Sequence, residues 1–339
     1  MWHGCFWIAA ILCSLAEGEF GWAIPGFPAT VLFFAVFSPI LILVKPGAQS
    51  TGVRPWAVRL VRASRILLVP VFLFSFLAVV THVFLTVQSR RAYSQTEITP
   101  LDQPLREERE ITITCELTQP PEFQEVPVFD SARDSEAANG TYHYNLWLPK
   151  GYLSDSQRRW PCLFIASAEG EAGMGQMTRW MKSHGYIVVM LVESRNGPWA
   201  PIVGNFLAAH DDAVRRVRIQ DGRKVATGVS GAARASSVFV QLRPGFSGLI
   251  LQAAGFAYGE NGQYHLAGLK RIHPLFVAMT MGDSDDNREE VGYMRDAFGG
   301  TNLLVLNFKG GHMAAPRETI ERALDWYEQQ IHQAQPDPR

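Results

Sequence analysis

Thr227-Gly228-Val229-Ser230-Gly231-Ala232 ends a short apolar run and leads into a helix-forming stretch. A serine between glycines at a strand-to-helix corner reads as a nucleophile elbow, a turn so tight that the residues two positions to either side must be small. The corner lifts the serine hydroxyl above the sheet and sets the N-terminus of the next helix behind it. The pattern usually ends in glycine. Ala232 takes that place here and is small enough for the same turn. By itself the hexapeptide also suits an ordinary helix N-cap serine, so its surroundings decide the reading.

Those surroundings alternate strand and helix. Residues 162–166, 187–192, 225–228, 249–253, 275–280 and 303–308 are short continuous apolar runs, the pattern of strands buried on both faces. Between them, residues 174–184, 206–219, 287–298 and 316–333 are helix-like, with Arg215, Arg216 and Arg218 on polar faces and Pro316 at a first turn. Upstream, residues 111–117 and 141–148 alternate β-formers with polar residues, as antiparallel strands do. An antiparallel pair followed by βαβ units predicts an α/β fold, a doubly wound and mostly parallel sheet covered by helices. In such sheets active sites gather at the carboxyl ends of strands.

Three of those ends carry chemistry. Ser230 is the candidate nucleophile. His312 follows the run 303–308 and the turn Lys309-Gly310-Gly311, whose glycines free the backbone to aim the ring as general base. Three acids compete in Gly282-Asp283-Ser284-Asp285-Asp286-Asn287. Asp286 with Glu289 forms a capping box for the next helix, and Asp283 lies close to the strand end. Elimination leaves Asp285 to orient His312. The order serine, acid, histidine is the one an elbow of this kind requires. An oxyanion hole needs two backbone N–H groups. Gly231 supplies one, and Ala168 in the loop Ser167-Ala168-Glu169-Gly170 is the candidate for the other. Such chemistry needs no metal and no organic cofactor. The four cysteines lack zinc-ligand spacing; Cys115 and Cys162, both in strand-like runs, are either buried free thiols or a pair.

From Tyr144 onward the chain resembles α/β-hydrolases of the esterase and polyhydroxybutyrate-depolymerase-like group. The matching pieces are Leu148-Pro149-Lys150-Gly151-Tyr152, Asn196-Gly197-Pro198-Trp199, the elbow extended through Ala233-Arg234, Gly282-x-x-Asp285-x-Asn287 and Gly310-Gly311-His312. The resemblance implies ester hydrolysis through an acyl-enzyme, supports Asp285 as the acid, and marks Asn196 and Trp199 as substrate-binding positions. The chain departs from the pattern at Ala232 and in the loop 167–170, where many relatives carry His-Gly. A peptidase or acyltransferase would use the same triad, and a silent hydrolase fold would serve as a binding or sensing domain. Residues 253–273 leave no room for a large cap, so the expected cleft is open and suits bulky or polymeric esters.

The whole chain has 339 residues, 31 basic and 32 acidic, for a net charge of −1. That balance, without a basic run interleaved with aromatics, argues against nucleic acid as a partner. The charge is unevenly spread, since residues 1–44 contain no Lys or Arg. Residues 22–44 and 66–87 are free of charged side chains and long enough to cross a hydrocarbon core of about 30 Å. A third apolar run, 4–16, is short for a span and reads as a short first helix or an interfacial one. Lys45, Arg54, Arg59, Arg62 and Arg65 lie between the two spans, which places that loop in the cytoplasm and everything after residue 87 outside it. The expected organisation is a membrane region, 1–87, whose partner is the lipid bilayer, then a linker, 88–109, and an exoplasmic hydrolase domain, 110–335.

Overall fold

The computed structural model describes residues 100–101, 103–117, 140–258, 268–298 and 302–334. The chain divides into two compact units, 1–96 and 97–339. The apolar segments 4–16, 22–44 and 66–87 lie outside the described residues. Among the described residues no helix is long and apolar enough to cross a membrane.

Eight strands form one sheet: β1 (Glu110–Glu116), β2 (Thr141–Trp147), β3 (Trp160–Ile165), β4 (Ile187–Leu191), β5 (Ile219–Val229), β6 (Phe246–Gln252), β7 (Phe276–Gly282) and β8 (Leu303–Phe308). Their order is β1-β2-β4-β3-β5-β6-β7-β8. Only β2 runs against its neighbours; every other pairing is parallel. A mostly parallel eight-stranded sheet of this order, with helices on both faces, fits the α/β-hydrolase fold.

In the inner strands β3 to β7 the continuous apolar runs are explained by burial on both faces, whereas β8, at the sheet edge, is mostly half-buried. Ala226, Leu249, Leu251, Val277 and Met279 point into one cluster, packed against α2 (Trp199–Arg216), α3 (Gly231–Leu242) and α4 (Glu290–Phe298). Their neighbours Val225, Ile250 and Ala278 point the other way, toward α1 (Thr178–His184) and α5 (Arg317–Ala334). Phe206 of α2 stacks on Phe239 of α3 with ring centroids 4.2 Å apart, and burying each ring contributes about 1.5–3 kcal/mol. On the opposite face the Trp180 indole N–H donates to Asp325 at 2.6 Å, tying α1 to α5.

Several boundaries differ from the sequence expectation. β5 begins at Ile219, six residues before its apolar run. Its first half is polar and carries Gly222 at φ +73°, and its register shifts at Lys224 against β6, so no periodic signal announces it. Ile219 therefore leaves the expected helix 206–219, being drawn into pairing with Trp160. That helix in turn starts at Trp199, because Pro201 falls in its first turn, where N–H groups have no intrahelical acceptor. The expected helices at 174 and 287 each open as a short 3-10 segment. The domain also reaches upstream of residue 110: Leu101 and Leu105 pack on the core, and the Glu107 carboxylate accepts the Gly151 N–H at 2.9 Å. Cys115 and Cys162 are buried and free. Two strands separate β1 from β3, about 14 Å at 4.8 Å per strand, which is beyond disulfide reach.

Candidate active site

The elbow joins β5 to α3. Ser230 sits at φ 59° and ψ −125°, a conformation that costs a non-glycine residue on the order of 1–3 kcal/mol and persists only where its surroundings enforce it. The enforcement is visible. A Cβ at Gly228 would lie 2.5 Å from the Ala232 carbonyl carbon and 2.7 Å from its Cβ, so the turn closes only with glycine before the serine. The Ser230 N–H donates to the Gln252 main-chain oxygen at 2.8 Å, and the Ser230 carbonyl accepts the Ala233 N–H at 3.0 Å. α3 approaches the sheet closely because its inner residues are small: Ala232, Ala233, Ala235, Ser236 and Ser237 are all buried.

His312 and Asp285 come from the loops after β8 and β7. His312 Nε2 lies 2.7 Å from Ser230 Oγ, and Nδ1 lies 3.0 Å from Asp285 Oδ1. A carboxylate can only accept, so Nδ1 carries the proton and Nε2 is free to accept from the serine hydroxyl. Asp285 is shielded, with a side chain 0% exposed, whereas the histidine side chain is 40% exposed. The two loops are stitched together by neighbours that the sequence left without this role. Gly310 N–H donates to the Asp283 carboxylate at 3.0 Å, and the Ser284 hydroxyl donates to the Gly310 oxygen at 2.8 Å. Gly282 must be bare, because a Cβ there would stand 2.5 Å from the Gly310 oxygen.

The expected capping role of Asp286 needs correction. Asp285 is itself the N-cap, its Oδ1 accepting the Asn287 N–H at 2.8 Å, while Asp286 is exposed in the first turn. One carboxylate oxygen thus serves both the helix and the imidazole, because the chain leaves β7 in extended form at Asp285, φ −78° and ψ 136°. Behind it, the Asn287 amide donates to the Ala253 oxygen at 2.8 Å. Glu290 takes a bidentate bond from Arg234, at 3.0 and 2.6 Å, and also accepts the Gly255 N–H at 2.6 Å. Arg234 lies one turn along α3 from Ser230, so this pair locks the serine's helix to the helix that follows the acid.

Gly231 is the first residue of α3, and Ala168 lies half-buried in the loop after β3. Asn196 connects them. Its N–H donates to the Ala168 oxygen at 2.9 Å, and its carboxamide packs so closely on Gly231 that a Cβ there would collide with it. Trp199 is half-buried against the core at the start of α2. Met313, next to His312, and Tyr258, whose ring lies 4.8 Å from the Arg234 guanidinium carbon, are both exposed. Among the described residues no group of three His, Cys, Asp or Glu side chains is arranged to hold a metal ion.

No family model and no curated protein matches the chain. Among solved structures, an S-formylglutathione hydrolase from Staphylococcus aureus aligns over 66% of this chain and 98% of its own, at 12% identity and a TM-score of 0.46. A ferulic acid esterase aligns over 65% and 95%, at 15% identity and 0.43. A glucuronoyl esterase from Caldicellulosiruptor kristjansonii aligns over 58% and 74%, at 15% identity and 0.42. At that distance the site's own geometry has to carry the chemistry.

Proposed function

We propose that the domain is a serine hydrolase that cleaves carboxylic esters through an acyl-enzyme. The observation that carries this reading is the continuous chain Asp285 Oδ1, His312, Ser230 Oγ, with links of 3.0 and 2.7 Å. His312 takes the Ser230 proton as the oxygen attacks the ester carbonyl, and Asp285 steadies the imidazolium that forms. The negative charge on the carbonyl oxygen is met by the Gly231 and Ala168 N–H groups. The proton then passes from His312 to the leaving alcohol, and a water activated by the same ring releases the acid. The exposed imidazole and the exposed Met313 beside it in sequence favour a bulky acyl or alcohol group over a small enclosed one, with Asn196, packed on Gly231, and Trp199 as the residues that would meet it. Wild-type protein should become covalently labelled by a fluorophosphonate and turn over p-nitrophenyl esters, and Ser230→Ala should do neither. Turnover at the wild-type rate by Ser230→Ala would sink the reading.

We also propose that this domain is exoplasmic and tethered to the bilayer through residues 22–44 and 66–87, on the strength of the basic loop between them.

A further inference from the structure

Gln252, the last residue of β6, is buried at 4% exposure between the two loops that bear Ser230 and His312. Its main-chain oxygen accepts the Ser230 N–H at 2.8 Å. Its side-chain Oε1 accepts the Ala315 N–H at 3.1 Å, three residues beyond His312. Among the described residues the amide nitrogen has only a long contact, 3.5 Å, with Thr227 Oγ1, whose own hydroxyl donates to the Ile250 oxygen at 2.8 Å. Burying a carboxamide in an apolar strand is unfavourable unless its hydrogen bonds are made, and the strong bond here is the one to Ala315, itself 1% exposed. The histidine loop is therefore pinned on both sides of His312: at Gly310 by Asp283 and Ser284, and at Ala315 by Gln252.

We infer that Gln252 is a positioning residue for the triad. It ties the nucleophile's backbone and the histidine's loop to one point on β6, and so sets the reach of His312 Nε2 to Ser230 Oγ. The inference rests on the hydrolase reading for its effect on rate, and on geometry alone for its effect on the ring. Gln252→Leu keeps the volume and removes the acceptor, leaving the Ala315 N–H buried without a partner. Gln252→Glu keeps an acceptor at the same place.

The test compares the rate of fluorophosphonate labelling with the NMR signal of the His312 Nδ1 proton, in protein verified as folded by circular dichroism. Gln252→Leu should label roughly 10- to 100-fold more slowly, the scale of a displacement near 1 Å, and its Nδ1 proton signal should shift or broaden. Gln252→Glu should recover most of the rate and the wild-type signal. Wild-type labelling and an unchanged signal in Gln252→Leu would overturn the inference, as would an equal loss in both variants, which would mark a packing effect. If Gln252→Leu does not fold, Gln252→Met, which fills similar space and also lacks the carboxamide acceptor, takes its place: slow labelling supports the inference and a wild-type rate refutes it. If folded wild-type protein is not labelled at all, the hydrolase reading fails, while the Nδ1 signal still decides whether Gln252 positions the ring.

Discussion

Asp285 and Asp286 are adjacent, equally acidic and in the same turn, yet only one is buried and within reach of the imidazole. Asp285→Asn leaves an N-cap, since asparagine caps a helix as well as aspartate does. It removes the charge that stabilises the imidazolium and turns the ring toward the wrong tautomer. The expected outcome is a kcat lower by roughly 10³–10⁴ with a near wild-type urea midpoint. Asp286→Ala removes an exposed side chain that makes no cap bond, so stability should change by no more than about 0.5 kcal/mol and turnover not at all. Measuring kcat and midpoint on both variants separates the roles; an inactive Asp286→Ala beside an active Asp285→Asn would exchange them.

Between elements, a polar cluster joins α2, β5 and the end of α3 beneath the aromatic core. His210 of α2 lies among Phe164, Phe206 and Phe246, with ring centroids 5.4, 5.7 and 5.9 Å away. Its Nδ1–H donates to Asp211 at 2.9 Å, and its Nε2 lies 3.1 Å from Lys224 Nζ. Arg243 closes the cluster on Asp211 at 2.8 and 2.7 Å. Burial, with the Lys224 charge beside it, pushes the His210 pKa down from 6.5 to about 4. The unfolded chain therefore takes up a proton below pH 6.5 that the folded chain refuses until about pH 4. Stability is complete above the unfolded value and falls through that window, by on the order of 3 kcal/mol for this group. Asp211, held down to about 2 against its own burial by the Arg243 and His210 hydrogen bonds, adds to the loss only at lower pH. Urea midpoints at pH 7 and pH 4.5 should diverge less in His210→Gln than in the wild type. Equal divergence would assign the acid sensitivity elsewhere.

At the scale of the whole molecule, the charge asymmetry of the chain makes a topological prediction. If the basic loop between residues 44 and 66 stays in the cytoplasm, a reporter active only outside it should be active when fused at the C-terminus and silent when fused near Gly52. The reverse pattern would place the domain that carries Ser230 in the cytoplasm. Within the domain, the sheet order brings the loops after β5, β7 and β8 to one edge. That is how Ser230 and His312, 82 residues apart, come within hydrogen-bond distance.

Features whose cause is local can be read along the chain. Strands buried on both faces must be apolar throughout, so the inner strands β3 to β7 were legible as short hydrophobic runs, as was the half-buried edge strand β8. The elbow was legible because its geometry admits only small residues at 228 and 232, and the glycines at 310 and 311 marked a loop built to aim a side chain. Features that depend on contacts between distant residues emerge when the chain is folded. The polar start of β5 is a strand because β3 pairs with it, and Asp285 rather than Asp286 caps its helix because of the direction in which the chain leaves β7. Asp283, Ser284 and Gln252 brace the site through partners 26 to 63 residues away. No window of sequence reports such bonds, because the residues that make them are ordinary in their own neighbourhoods and acquire a role only when the sheet sets their partners beside them.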